Sequence, residues 1–148
     1  MKKILSFPTQ LGWMTAVEQD GKIIELNFIK RKSEGKSLIL KRIKKNVNDF
    51  FSKKIKSFNF PYKIHGSNLQ IRIWRELKKI PYGQTKSYGA IANIVKTSPR
   101  YVGNVCGQNK HLLVIPCHRV IRTDGRLGGF SGSGGLSLKK RLLKLEQQ

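Results

Sequence analysis

Acidic residues are scarce in this chain: 8 Asp and Glu stand against 30 Lys and Arg, a formal charge of +22 over 148 residues. Such an imbalance points to a polyanion as partner, and nucleic acid is the commonest one for a soluble chain. The charge is not gathered into a tail, because residues 1–66 carry 15 basic and 5 acidic residues and residues 67–148 carry 15 and 3. Cysteine is almost absent too. Cys106 and Cys117 cannot build a disulfide framework, and a reducing compartment fits. The three histidines, His65, His111 and His118, stand at no metal-ligand spacing from one another or from the cysteines, so no metal and no cofactor is expected. No apolar run approaches the length of a membrane span. The start MKKILSFPTQ lacks an apolar core of useful length, so no signal peptide is expected and the location expected is cytoplasmic. What the chain does have is 39% hydrophobic residues, enough for a core in one domain or in two small ones.

The pattern along the chain predicts an α+β protein in two parts. Residues 13–29 read as a β-hairpin about Asp20-Gly21, a strong short-range turn signal. Leu38 to Ser52 reads as an amphipathic helix, with Ile39, Ile43, Val47, Phe50 and Phe51 at three- and four-residue steps and lysines between them. Residues 57–66 look like a short strand and a linker, which places the end of a small amino-terminal α/β support domain near Gly66. Residues 67–148 are mainly helical. Ser67 can cap a helix through Lys79, and Ser87 can cap YGAIANIV. Ser98, with Pro99 at the first helical position, starts the next helix. The second and third helices, about four residues apart, suggest a helix-turn-helix or an ordinary helical hairpin. The third helix is small-faced, with Gly103, Cys106 and Gly107 along it. Arg100 lies in its first turn, where a cation opposes the helix dipole and calls for an outside anion.

The stretch VIPCHRVI, Val114 to Ile121, places a thiol beside an imidazole within apolar surroundings. A neighbouring imidazole can turn a weakly nucleophilic thiol into a thiolate. Read as an extended strand, however, the stretch sends Cys117 and His118 to opposite faces. A turn at Pro116, or a water between the two groups, would bring them into register. A buried cysteine beside a structurally bonded histidine is the plain alternative.

Around this stretch stand SPRYVGNVCGQN before it, GGFSG after it, IPYG and SYG upstream, and Asn109 eight residues before Cys117. Together, from about Leu69 to Glu146, these motifs closely resemble the methylated-DNA–protein-cysteine methyltransferases, the O6-alkylguanine-DNA alkyltransferases. The resemblance implies a two-part fold with a variable amino-terminal domain and a DNA-binding, alkyl-accepting domain over residues 67–148. It implies a monomer that acts on double-stranded DNA containing O6-alkylguanine, with O4-alkylthymine as a second candidate lesion. Cys117 matches the alkyl acceptor, and His118 the base that draws its proton through a water. Glu146 matches the carboxylate that orients His118, and Asn109 the side chain that ties down the active turn. Tyr88 matches the residue that pushes on the target phosphate and lends its hydroxyl to the base, and Arg100 the one that fills the gap left by the extruded base. Ser98 and Gly103 fall on the DNA-facing helix. Val120 through its carbonyl, Phe130 and Ser131 match the guanine pocket.

The chain departs from the family pattern at Phe130, where tyrosine is common, at Lys110, where proline is common, and in GFSGSGGL, which is two residues longer than usual. Two rival functions are weighed against alkyl transfer. A helix-turn-helix lesion sensor without chemistry would lack the cysteine that Cys117 supplies. A cysteine hydrolase would need an oxyanion hole, which nothing in the basic helix pair suggests.

Overall fold

A computed structural model of the chain describes residues 1–128 and 135–148. It packs as two compact units, Met1–Ile64 and His65–Gln148.

The first unit is a three-stranded antiparallel sheet, β1 (Lys2–Thr9), β2 (Gly12–Gln19) and β3 (Lys22–Asn27), followed by α1 (Leu38–Phe51). The expected hairpin is β2–β3. Its turn residues, Asp20 and Gly21, both lie at positive φ, 53° and 79°, as a two-residue hairpin matching the strand twist requires. β1 was not expected. Its Pro8 argues against a central strand, and the sheet order β1-β2-β3 puts that residue on an edge strand, opposite Trp13. β2 is the middle strand and buries Met14, Thr15, Ala16 and Val17 in succession. The hydroxyl of Ser37 caps α1 by accepting from Leu40 N–H. Leu40, Ile43, Val47, Phe50 and Phe51 form its buried stripe. The stripe begins at Leu40 and not at the expected Ile39. Residues 57–66 form no strand; only Tyr62 makes an isolated bridge, to Ile23.

The second unit begins with α2 (Asn68–Lys78), closed by a reciprocal cap in which Ser67 and Gln70 each bond the other's backbone N–H. α3 (Tyr88–Val95) and α4 (Pro99–Gly107) follow, capped by Ser87 and Ser98. Three residues join them, and the first, Lys96, adopts the left-handed conformation (φ 61°, ψ 58°) that ends α3. This is the tight helix pair that a helix-turn-helix requires. The indole N–H of Trp74 on α2 donates to the Val105 carbonyl of α4 at 3.3 Å, tying the first helix to the third. β4 (Lys86–Ser87) and β5 (Val120–Ile121) form a short parallel pair, and α5 (Gly135–Glu146) completes the unit. α5 turns Leu138, Lys139, Leu142, Leu143 and Glu146 inward, so its buried face carries two charges among its leucines. Among the described residues, no helix is long and apolar enough to cross a membrane.

Candidate active site

Every residue from His111 to Val120 is buried, and the backbone there does not run straight. Pro116, at φ −80° and ψ 65°, is the centre of an inverse γ-turn in which Cys117 N–H donates to the Ile115 carbonyl at 2.8 Å. Cys117–Arg119 then wind a single 3-10 turn. The extended reading of this stretch is therefore wrong. Proline fixes the φ from which the chain reverses, and in a 3-10 turn successive side chains diverge by about 120° rather than 180°. Asn109 clamps the approach: its amide donates to the Ile115 carbonyl and its oxygen accepts from His111 N–H, both at 2.8 Å.

His118 is wholly buried, and its Nε2 lies 2.6 Å from Glu146 Oε2. The carboxylate is claimed a second time by Arg119. Its Nε donates to Oε1 at 2.8 Å and its Nη2 to Oε2 at 2.9 Å, while Nη1 donates to the Ile80 carbonyl at 2.8 Å. Gly83 N–H adds a bond to Oε1 at 3.3 Å, and the Tyr82 ring lies 5.7 Å from the guanidinium. The IPYG motif, Ile80 to Gly83, thus wraps the Arg119–Glu146 pair. Burial alone would raise the Glu146 pKa, but the hydrogen bonds from His118 and Arg119 outweigh it and hold the carboxyl at about 2. Burial pushes the His118 pKa below its ordinary value, against the pull of Glu146. With Arg119 already balancing the carboxylate, the imidazole rests neutral. Nε2 carries the proton toward Glu146, and Nδ1, which has no hydrogen-bond partner among the described residues, keeps its lone pair. That arrangement can take a proton; an imidazolium could not.

Lys139 of α5 is also wholly buried. Its ammonium donates to the Val120 carbonyl at 2.6 Å and to the Tyr88 hydroxyl at 3.2 Å. Burial lowers its pKa, while Cys117 and Cys106 pull it back up. Tyr88 is held protonated chiefly by burial. Its oxygen accepts from Lys139, so its own proton is left for another acceptor. Gly128, at φ 70°, lies so close that an added Cβ would meet the Tyr88 hydroxyl oxygen at 2.8 Å; a side chain there would displace the ring. Burial raises the Cys106 pKa strongly, and Cys117 raises it further, so Cys106 stays a thiol.

The DNA-binding domain of 6-O-methylguanine DNA methyltransferase matches residues 68–148. A methylated-DNA–protein-cysteine methyltransferase of Metallosphaera sedula is 35% identical over 95% of this chain and 90% of its own length. This chain belongs to that family. The crystal structure of Mycobacterium tuberculosis O6-methylguanine methyltransferase superposes with a TM-score of 0.88 at 28% identity, over 99% of this chain and 93% of the other. The same organism's enzyme in complex with DNA gives 0.87 at 29% identity, over 97% and 92%.

Within the methyltransferase fold, the structure brings Cys117, His118, Glu146, Asn109 and Val120, all buried, and the half-buried Tyr88 into one neighbourhood. Of the three expected residues on or beside α4, Arg100 and Ser98 lie apart from it and Gly103 borders it. Arg100 is exposed in the first turn. Ser98 accepts from Tyr101 N–H as the helix cap. Gly103 faces Tyr88, whose ring an added Cβ would meet at 3.9 Å. Phe130 and Ser131 lie outside the described residues. Sequence reading missed Arg119 and Lys139. Each had a signal: Arg119 is a charge inside an apolar run, and Lys139 stands seven residues before Glu146, two helical turns away on the same face. Among the described residues, no group of three His, Cys, Asp or Glu gathers to hold a metal.

Proposed function

We propose that this protein repairs duplex DNA by moving the alkyl group of O6-alkylguanine onto its own Cys117, once per molecule. The observation that carries the reading is Cys117 on a buried turn next to a neutral His118 that Glu146 and Arg119 hold in one tautomer. In this reading residues 67–148 bind DNA and accept the alkyl group, residues 1–66 support them, and the protein works as a monomer in the cytoplasm.

The chemistry follows from those groups. The reacting carbon is buried in a base stack, so the nucleotide must leave the duplex, with Arg100 of α4 filling its place. The Cys117 proton passes through a bridging water to Nδ1 of His118. The sulfur then attacks the alkyl carbon, an S–C bond forms as the C–O6 bond breaks, and guanine departs with the bonding electrons. Tyr88, polarised by the Lys139 ammonium, donates a hydrogen bond or a proton to the departing base. Val120 keeps a free lone pair on its carbonyl beside the bond it accepts from Lys139, and with Phe130 and Ser131 it would hold the guanine edge. The product is a thioether that no group here can cleave.

Incubation with duplex DNA carrying O6-methylguanine should raise the protein mass by one methylene, and peptide mapping should place it on Cys117. Methylation of Cys106, or turnover beyond one per protein, would refute the mechanism.

A further inference from the structure

We infer that the outer face of α1, in the amino-terminal unit, is a second phosphate-binding surface that takes the backbone of duplex DNA. The first unit is basic, but its charge is not evenly spread. Residues 1–34, which hold the whole sheet, carry six basic and four acidic residues; residues 35–64 carry nine basic and one acidic. A lysine-rich composition alone would not sort the acidic residues to one side.

The sorted charge has a definite place. Lys41, Lys44 and Lys45 recur on the face of α1 opposite the buried stripe of Leu40, Ile43, Val47 and Phe50, and Arg42 flanks them. All four are exposed. The lone acid on the helix, Asp49, pairs with Lys45 at 2.8 Å, and among the described residues Lys41, Arg42 and Lys44 make no ion pair. Lys54, also exposed, follows the helix end. By itself this arrangement opposes folding. Like charges three and four residues apart repel by a few tenths of a kcal/mol per pair. Lys41 also sits in the first turn of a helix that has no acidic residue there, where the helix dipole is unfavourable to a cation. A phosphate backbone relieves both. The three lysines lie within about 6 Å along the axis, a span over which one strand of a duplex carries about two phosphates, one per ~3.4 Å. Lysines are flexible point charges, suited to phosphates and indifferent to base sequence, as a protein searching for rare lesions requires.

The inference rests on duplex DNA being the substrate, and the test separates the two ideas. The full chain with Lys41→Gln, Arg42→Gln and Lys44→Gln is compared with a control bearing Lys2→Gln, Lys22→Gln and Lys32→Gln, three exposed cations outside the face. Affinity for undamaged duplex DNA is measured across a salt series, and alkyl transfer is measured with free O6-benzylguanine. The α1 variant should flatten the log-log salt slope by about 0.9 for each phosphate it no longer neutralises, the control should leave it near that of the parent chain, and all three proteins should react equally with the free base. Lys41→Arg with Lys44→Arg, which keeps the charge, should retain the parent slope. An α1 variant whose slope matches that of the control would overturn the inference while leaving alkyl transfer intact. Loss of slope in the charge-preserving variant would overturn it as well, because the helix and not its charge would then matter. Failure of the parent chain to react with the free base would count against the proposed function and not against the surface.

Discussion

Lys139 and Glu146 stand seven residues apart on the buried face of α5, and both hold the cysteine turn in place. Lys139 holds the Val120 carbonyl after the turn, and Glu146 holds His118 and Arg119 within it. One helix therefore sets both the base that would ionise the thiol and the phenol that would assist the leaving group. Neither charge is stranded, since Glu146 has a bidentate arginine and Lys139 has two oxygen acceptors, which burial of an ion demands.

Glu146→Gln should slow alkyl transfer about tenfold, equivalent to about 1.4 kcal/mol, with duplex affinity nearly unchanged. Glutamine can still accept from His118 Nε2, but it no longer stabilises the imidazolium formed once His118 takes the thiol proton. His118→Gln removes the base itself and should cost about 10²–10⁴ in rate. Single-turnover rates on O6-methylguanine duplex, with binding measured in parallel, check both. An unchanged rate in Glu146→Gln would reduce Glu146 to a structural partner of Arg119.

Stability should fall as pH falls. The folded Glu146 carboxyl is held at about 2, from an ordinary value of 4.5, so its contribution is full above about 4.5 and is lost as pH drops toward 2. The difference corresponds to roughly 3 kcal/mol. His118 is buried neutral with a lowered pKa, so it too binds fewer protons folded than unfolded, and its contribution begins to fade below about 6.5. Urea midpoints from pH 7 to pH 3 should decline throughout, and the Glu146→Gln protein should decline less below pH 4.5. A flat profile would contradict the charge state assigned to the pair.

Lys139→Met keeps the length of the side chain and removes its ammonium. The Val120 carbonyl and the Tyr88 hydroxyl each lose a donor, at a cost of about 1–3 kcal/mol for a buried group left unsatisfied. Alkyl transfer should slow together with the stability loss. In Tyr88→Phe, adding Lys139→Met should slow transfer less than it does in the parent chain, because their shared hydrogen bond is already gone. Fully additive rate effects would show that the lysine acts without the tyrosine.

Arg100→Ala should weaken reaction with lesion-bearing duplex far more than reaction with free O6-benzylguanine. Arg100 is exposed at the start of α4 and Cys117 is buried, so a role confined to extruding the base leaves the reaction with a free base untouched. Equal losses on the two substrates would remove it from base extrusion.

Much of this site was legible in the sequence, because its parts are short and local. Caps at Ser67, Ser87 and Ser98 announce three helices, and Asp20-Gly21 announces the hairpin. Cys117, His118 and Asn109 lie within nine residues of one another, and the motif that contains them is distinctive. The parts that escaped depend on long-range partners. Arg119 reads as an unexplained charge in an apolar run until Ile80 and Glu146 are brought to it, and Lys139 reads as one more lysine in LSLKKRLLKLE until the burial of its face is known. β1 escaped because proline is a poor strand signal unless the strand is known to be an edge. The turn at Pro116 is a borderline case: sequence could say that a reversal was permitted there, and only the packing decided that it occurred.

The Gly83–Glu146 bond spans 63 residues, and the His118–Glu146 bond spans 28. Contacts of that separation carry a larger loop-closure cost than the local helices and turns, and the expected order of assembly is therefore local elements first and α5 docking afterwards. On that order Cys117 would gain its partner's fixed tautomer only when α5 docks. The reactivity of one thiol would then be a clock for that step. In a refolding experiment, recovery of the native alkylation rate of Cys117 should coincide with docking of a helix that carries no chromophore of its own, and recovery before it would refute the order.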